Sequence, residues 1–230
     1  MGLRRGQRGR FSGRREVAIG LGVYALYLLA SRRKRGEAGR LQAAKNAERV
    51  VSLERRLGIH VEPRLQEPLL GHRRLLGILN VAYVVSNAAF TVGFLMRLYA
   101  RRHPAFHRFR RAAVLTTLAC QPVFYFFPCA PPRSLDHFVD TIADVSGIDL
   151  DSGAVAQLYD PLAAMPSIHV AYAVVTAAGV AQTSESSVLR SLAPAYPPLV
   201  ATVVFVTANH YVLDAVAGAA IAAAALRLTR

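Results

Sequence analysis

The chain contains no tryptophan and only two cysteines, Cys120 and Cys129. Two thiols build no disulfide framework, and without a CxxC pair there is no zinc knuckle. They lie in or beside one apolar segment, at a spacing that puts them on opposite sides of a helix, so both read as small packing residues. Acidic residues are scarce as well: 14 Asp and Glu stand against 28 Lys and Arg, leaving a formal net charge of +14. Asp136, Asp140, Asp144, Asp149, Asp151 and Asp160 make one acidic stretch, the first three expected on one helical face. They lack the tight pair of carboxylates with glycines that a divalent-cation loop needs, so they read as a solvated helix face. Nor is there a Gly-x-Ser-x-Gly turn, which argues against a serine hydrolase.

What remains is apolar and basic. Hydrophobic residues make up 53% of the sequence, and the mean hydropathy is +0.29. Apolarity joined to strong positive charge describes a membrane protein with basic loops, with no nucleic acid as partner. The expected fold is all-α, an integral-membrane bundle of about six transmembrane helices with an amphipathic interfacial helix.

Residues 1–16 form a basic arm, with Arg4, Arg5, Arg8, Arg10, Arg14 and Arg15 between glycines. It is expected to be disordered and to meet anionic lipid headgroups. Residues 17–74 begin with the run Val17 to Ala30, an uncleaved anchor because Ser31-Arg32-Arg33-Lys34-Arg35 follows where a small-residue cleavage site would stand. From Arg40 to Leu70, apolar residues alternate with charges three and four apart, an amphipathic pattern suited to the membrane surface. Residues 75–230 hold the other spans: Leu75 to Met96, Ala112 to Phe127, Pro166 to Ala181, Tyr196 to Thr207 and Tyr211 to Leu226. Asn80, Ser86, Asn87 and Thr91 inside the first of these should face other helices rather than lipid.

Two stretches carry chemistry. In Ala164-Met165-Pro166-Ser167-Ile168-His169, Pro166 suits the first position of a helix. The amides that follow would then bind phosphate, with the Ser167 hydroxyl as a further donor and His169 at the same mouth. In Asn209-His210-Tyr211-Val212-Leu213-Asp214, His210 and Asp214 stand at i and i+4 and share a helical face. A carboxylate there holds the tautomer that leaves the far imidazole nitrogen free as a nucleophile. Ionisable groups at such depth are functional hypotheses by default. Arg133 follows the rigid Pro128-Cys129-Ala130-Pro131-Pro132 loop and offers a planar fork matched to phosphate oxygens. Counting spans puts it on the same membrane face as both histidine segments.

Pro166-Ser167-Ile168-His169 and His210-Tyr211-Val212-Leu213-Asp214, in this order and at this separation, resemble the second and third motifs of the type 2 phosphatidic acid phosphatase superfamily. Phe127-Pro128-Cys129-Ala130-Pro131-Pro132-Arg133, Ala163-Ala164-Met165-Pro166-Ser167-Ile168-His169 and Ala208-Asn209-His210-Tyr211 resemble in particular its inositolphosphorylceramide-synthase-like, or inositolphosphotransferase, branch. The resemblance covers roughly Leu75 to Leu226. It implies a phosphohistidine mechanism in which His210 attacks phosphorus, Asp214 orients it and His169 protonates the leaving oxygen. Ser167 and Arg133 would hold the phosphoryl oxygens, with no metal and no cofactor. The implied substrate is a phospholipid or polyprenyl phosphate, hydrolysed or passed to an alcohol. Two departures stand out: the superfamily's Lys-x6-Arg-Pro motif has no clear copy, and Val203-Val204 occupies the place of its Ser-Arg pair. Arg133 must then replace those cations, with Arg110 or Arg111 as weaker candidates at the other end of the third span.

A non-enzymatic alternative makes the chain a membrane transporter or assembly subunit that uses His210 and Asp214 as a proton relay or helix glue. The basic segments fall on both sides of the second span, so the positive-inside rule gives no orientation. The resemblance favours an active site on the extracytoplasmic face of the cell membrane.

Overall fold

The computed structural model describes residues 11–32, 36–148, 150 and 160–230. Most of the basic arm, Asp149 and Asp151 lie outside them. The described residues are helical, apart from loops and one isolated bridge between Cys129 and Ala163. In chain order they form α1 (Gly13–Arg32), α2 (Glu37–Leu57), α3 (Glu62–Gln66), α4 (Arg73–Val81), α5 (Asn87–Ala100), α6 (Phe106–Phe126), α7 (Thr141–Ser146), α8 (Ile168–Thr183), α9 (Ser187–Leu192), α10 (Tyr196–Val206) and α11 (Val212–Leu228). A π-helical turn, Ala82–Ser86, joins α4 to α5.

Helix α8 is the hub, packed against α5, α6, α10 and α11. Its sequence explains why. Val170, Ala171, Ala173, Val175, Thr176, Ala177 and Gly179 are buried on several sides, and such small residues let neighbouring backbones approach closely. At Gly179 a Cβ would fall 2.2 Å from the Phe94 ring of α5. At Gly218 of α11 it would fall 2.2 Å from the Ser167 carbonyl oxygen. The second contact matters for function, because it presses α11 onto the start of α8.

Each expected span has a helix in its place. Only Ser187–Val206, which runs through α9 and α10, is long and apolar enough to cross a bilayer alone among the described residues. Arg73–Val85 and Ala89–Ala100 meet that standard as a pair bent by 47°. Helix α8 has 16 residues and α11 has 17, at or just below the roughly 17–25 that span a membrane. As expected, Asn80 and Thr91 turn inward: Asn80 Nδ2 donates to the Thr141 carbonyl, and the hydroxyls of Thr91 and Thr176 lie 2.9 Å apart. The side chains of Ser86 and Asn87 lie outside the described set.

Two expectations change. Pro166 does not open α8: Ser167 is its N-cap, accepting a hydrogen bond from Val170 N–H, and the helix starts at Ile168. Asp136, Asp140 and Asp144 do not share a helical face, because Asp140 caps the six-residue α7 from outside and Asp136 precedes it in a turn.

Candidate active site

The proline-rich loop after α6 cannot continue as helix, so its backbone finds partners elsewhere. Cys129 pairs with Leu162 and Ala164, Ala130 N–H donates to the Ala43 carbonyl of α2, and Arg133 N–H donates to the Ala208 carbonyl. Asn46 of α2 adds a side-chain bond to the Pro128 carbonyl at 2.8 Å. Helix α2 therefore spends its small face, Ala43, Ala47, Val50 and Val51, on Cys129, Ala130, Leu162, Ala164 and Tyr211. Both cysteines are buried and free, as their packing role requires.

These ties bring three separate segments to one end of the bundle. His169, in the first turn of α8, and His210, just before α11, face each other with Nδ1 of the first 3.2 Å from Nε2 of the second. His210 Nδ1 lies 2.8 Å from the Ala164 carbonyl oxygen and 3.4 Å from Asp214 Oδ2. A carbonyl only accepts, so Nδ1 carries the proton and Nε2 is left as a bare lone pair. His169 also hydrogen-bonds to the backbone of Tyr83. Burial, with Arg133 adding to it, pushes His210 down to about 4, although its bond to Ala164 works the other way. The ring is thus neutral across the physiological range.

Asp214 has a different main task from the one the i, i+4 spacing suggests. Its Oδ2 accepts the Tyr211 N–H at 3.0 Å, capping α11, and reaches His210 only at the longer distance. The Ala164 carbonyl is the nearer partner of the imidazole. Because Ser167 N–H donates to the Asp214 carbonyl at 2.9 Å, the two histidine segments are also joined through backbone. Tyr83, on the π-helical turn, stacks on His169 with ring centroids 4.5 Å apart.

Arg133 is 5% exposed and clamped on three sides. Its Nε pairs with Asp140 Oδ2 at 3.2 Å, one terminal nitrogen donates to Asn209 Oδ1 at 3.2 Å, and its main chain is fixed on Ala208. Asn209 is held in turn by two bonds to Thr207. A guanidinium so oriented presents a fixed fork. Arg110 takes no part here; it pairs with Glu16 at 2.8 Å at the opposite end of α6.

Two buried acids were not apparent from the sequence as parts of this centre. Glu54 of α2 accepts Leu213 N–H and Glu62 of α3 accepts Val212 N–H, each at 2.7 Å. With Asp214 they satisfy the first amides of α11. His60 Nδ1 lies 3.4 Å from Glu54 and 3.1 Å from Glu62. Among the described residues, Glu54, His60 and Glu62 group donor atoms as a metal ion would need them. Each glutamate already has one oxygen committed to α11, so capping accounts for the group. The available signal was two acids flanking the apolar Leu57 to Val61 run, which reads equally as a solvated face.

Residues 48–228 match the family model of the PAP2 superfamily, the type 2 phosphatidic acid phosphatases. The chain belongs to that superfamily. No curated protein and no solved structure gave a match. The PAP2 match begins upstream of Leu75 and takes in Glu54, His60 and Glu62, so the second half of α2 and all of α3 lie within the matched residues. Membership points to phosphatase-type phosphoester chemistry.

Proposed function

We propose that the protein is a membrane-embedded lipid phosphoesterase or phosphotransferase acting through a phosphohistidine. The observation that carries this is the 3.2 Å approach of His169 Nδ1 to His210 Nε2, with Nδ1 of His210 occupied by a carbonyl. His210 Nε2 attacks phosphorus, the P–O bond to the leaving alcohol breaks, and His169 delivers its proton to the departing oxygen. Arg133 holds equatorial oxygens as their charge develops. Ser167, besides capping α8, has a hydroxyl proton to offer. Water or an alcohol, deprotonated by His169, then takes the phosphoryl or phospho-headgroup from His210, and the resemblance of the proline-loop and histidine segments to the inositolphosphotransferase branch favours an alcohol.

Support for the membrane comes from the outer surface. Phe90, Met96, Leu199 and Val216 are each at least 58% exposed, on helices expected to span. Single exposed apolar residues are ordinary, but a belt of them along long helices suits lipid. Substrates are accordingly phospholipids or polyprenyl phosphates, approached from the extracytoplasmic face.

The test is His210→Ala in the purified, reconstituted chain. Loss of all turnover on a panel of phospholipids and polyprenyl phosphates, with fold retained by circular dichroism, is the expected result. In the wild type, brief exposure to substrate should leave an acid-labile phosphate on His210 by mass spectrometry. Turnover by His210→Ala equal to wild type would remove His210 as the nucleophile, and no turnover by the wild type on any substrate of the panel would leave the transporter or assembly reading in its place.

A further inference from the structure

Next to the histidines, a cavity of about 750 Å³ runs between α1, α5, α6 and α8, a size typical of sites for small organic ligands. One end is lined by His169 and Tyr27, the other by the Arg110–Glu16 ion pair with Tyr99 and Phe106. Eleven residues of α1 separate Glu16 from Tyr27, about 16 Å at the helical rise. Between the ends the wall is apolar, Val17, Ile19, Val23, Val92 and Leu95 among its residues. Its polar members are largely satisfied from within: Thr91 bonds Thr176, and Thr117 bonds Tyr172. A long slot that is apolar along its sides, touches a reactive imidazole at one end and is closed by a charge pair at the other fits one shape of molecule.

We propose that this groove holds the hydrocarbon chain of the phosphate ester, and that α1, through Gly20 and the Glu16–Arg110 pair, sets the longest chain accepted. The proposal rests on the phosphohistidine reading and adds the dimension along which substrates are sorted. Helix α1 lies outside the family-matched residues 48–228, so this wall belongs to this chain rather than to the family domain. The Arg110–Glu16 pair is part-buried, and it imposes a limit because a tail long enough to displace Arg110 from Glu16 leaves a poorly solvated charge.

Gly20 makes the test clean. It lines the groove, and a Cβ added there meets nothing within 4 Å, so Gly20→Phe leaves the backbone unstrained, places a ring at the groove wall and improves the local helix propensity. Gly22 also has open space but does not line the groove, so Gly22→Phe is the control. The full chain, reconstituted in phosphatidylcholine vesicles, is assayed on straight-chain alkyl monophosphates of increasing length. Gly20→Phe is expected to lower kcat/KM for the longest members by roughly 10-fold or more, leaving the shortest unchanged, while Gly22→Phe follows wild type. Equal effects of Gly20→Phe at all lengths, or none, would overturn the groove assignment. His210→Ala runs in parallel, and its activity bears on the chemistry alone. An alkyl phosphate with a diazirine at its tail tip should label α1 near Glu16 in both wild type and His210→Ala; labelling confined to other helices sinks the groove even where turnover is normal.

Discussion

The tautomer of His210 is set here by where a single hydrogen bond goes. The Ala164 carbonyl takes the Nδ1 proton of His210, and what is left at Nε2 is a lone pair aimed at His169. Arg133 is fixed as narrowly, between Asp140 and Asn209. Lysine keeps the charge but has no second branch, so Arg133→Lys gives up either a protein partner or a phosphate oxygen. One charged hydrogen bond is worth about 1.5–3 kcal/mol, so kcat/KM should fall roughly 10- to 100-fold. Thermal stability should change far less, which circular dichroism on the same sample checks. The four groups His169, His210, Asp214 and Arg133 were legible because their chemistry is unusual beside apolar runs. Their division of labour was not. The i, i+4 spacing of His210 and Asp214 suggests one strong pair, whereas a carbonyl 46 positions away in sequence is the closer partner. Ser167 likewise reads as a phosphate donor, and its oxygen is also the cap of α8.

At the level of elements, the start of α11 is held by acids from α2 and α3, which is why the segment 37–66 belongs with the histidine end. Glu54 shows the cost. Burial raises it from 4.5 to about 9, with Glu62 and Asp214 adding to the rise and the Leu213 N–H opposing it. The unfolded carboxyl loses its proton near the ordinary value, while the folded one keeps it until about 9. Across that window the folded state binds more protons, so stability falls as pH rises and levels off above it. Glu54→Gln supplies the same acceptor to Leu213 without an ionisable proton. Its Tm should therefore decline less than that of wild type between about pH 5 and pH 9, at about 2–4 °C per kcal/mol. Glu54→Ala instead strands a buried amide and should lose about 1–3 kcal/mol at any pH. Equal slopes for wild type and Glu54→Gln would remove Glu54 as the source. The helices themselves were readable from apolar runs and proline breaks. The inward turn of Glu54 was not, because its partner amide lies 159 positions further along the chain.

At the scale of the whole molecule, the two ends of the bundle differ in kind. One carries the histidines, Arg133 and the proline loop. The other carries the Arg97 to Arg111 segment, tied to the α8 C-terminus by Arg101–Glu185 and Arg108–Gln182 contacts and to α1 by Arg110–Glu16. Phe11 packs on Tyr99, Phe106 and His107, so Arg14 and Arg15 join that second end. On the proposed reading that second end faces the cytoplasm, although the basic residues of the 37–74 segment lie at the other end. Cys129 is fully buried and reports nothing of this, but Ser134 beside the site and Glu185 at the far end are both exposed. With Cys120 and Cys129 replaced by alanine, Ser134→Cys should react with a membrane-impermeant maleimide in intact cells. Glu185→Cys should react only after permeabilisation. The opposite pattern inverts the protein in the membrane, while equal labelling of both from outside means that α8 does not separate two compartments, and the spanning arrangement fails with it.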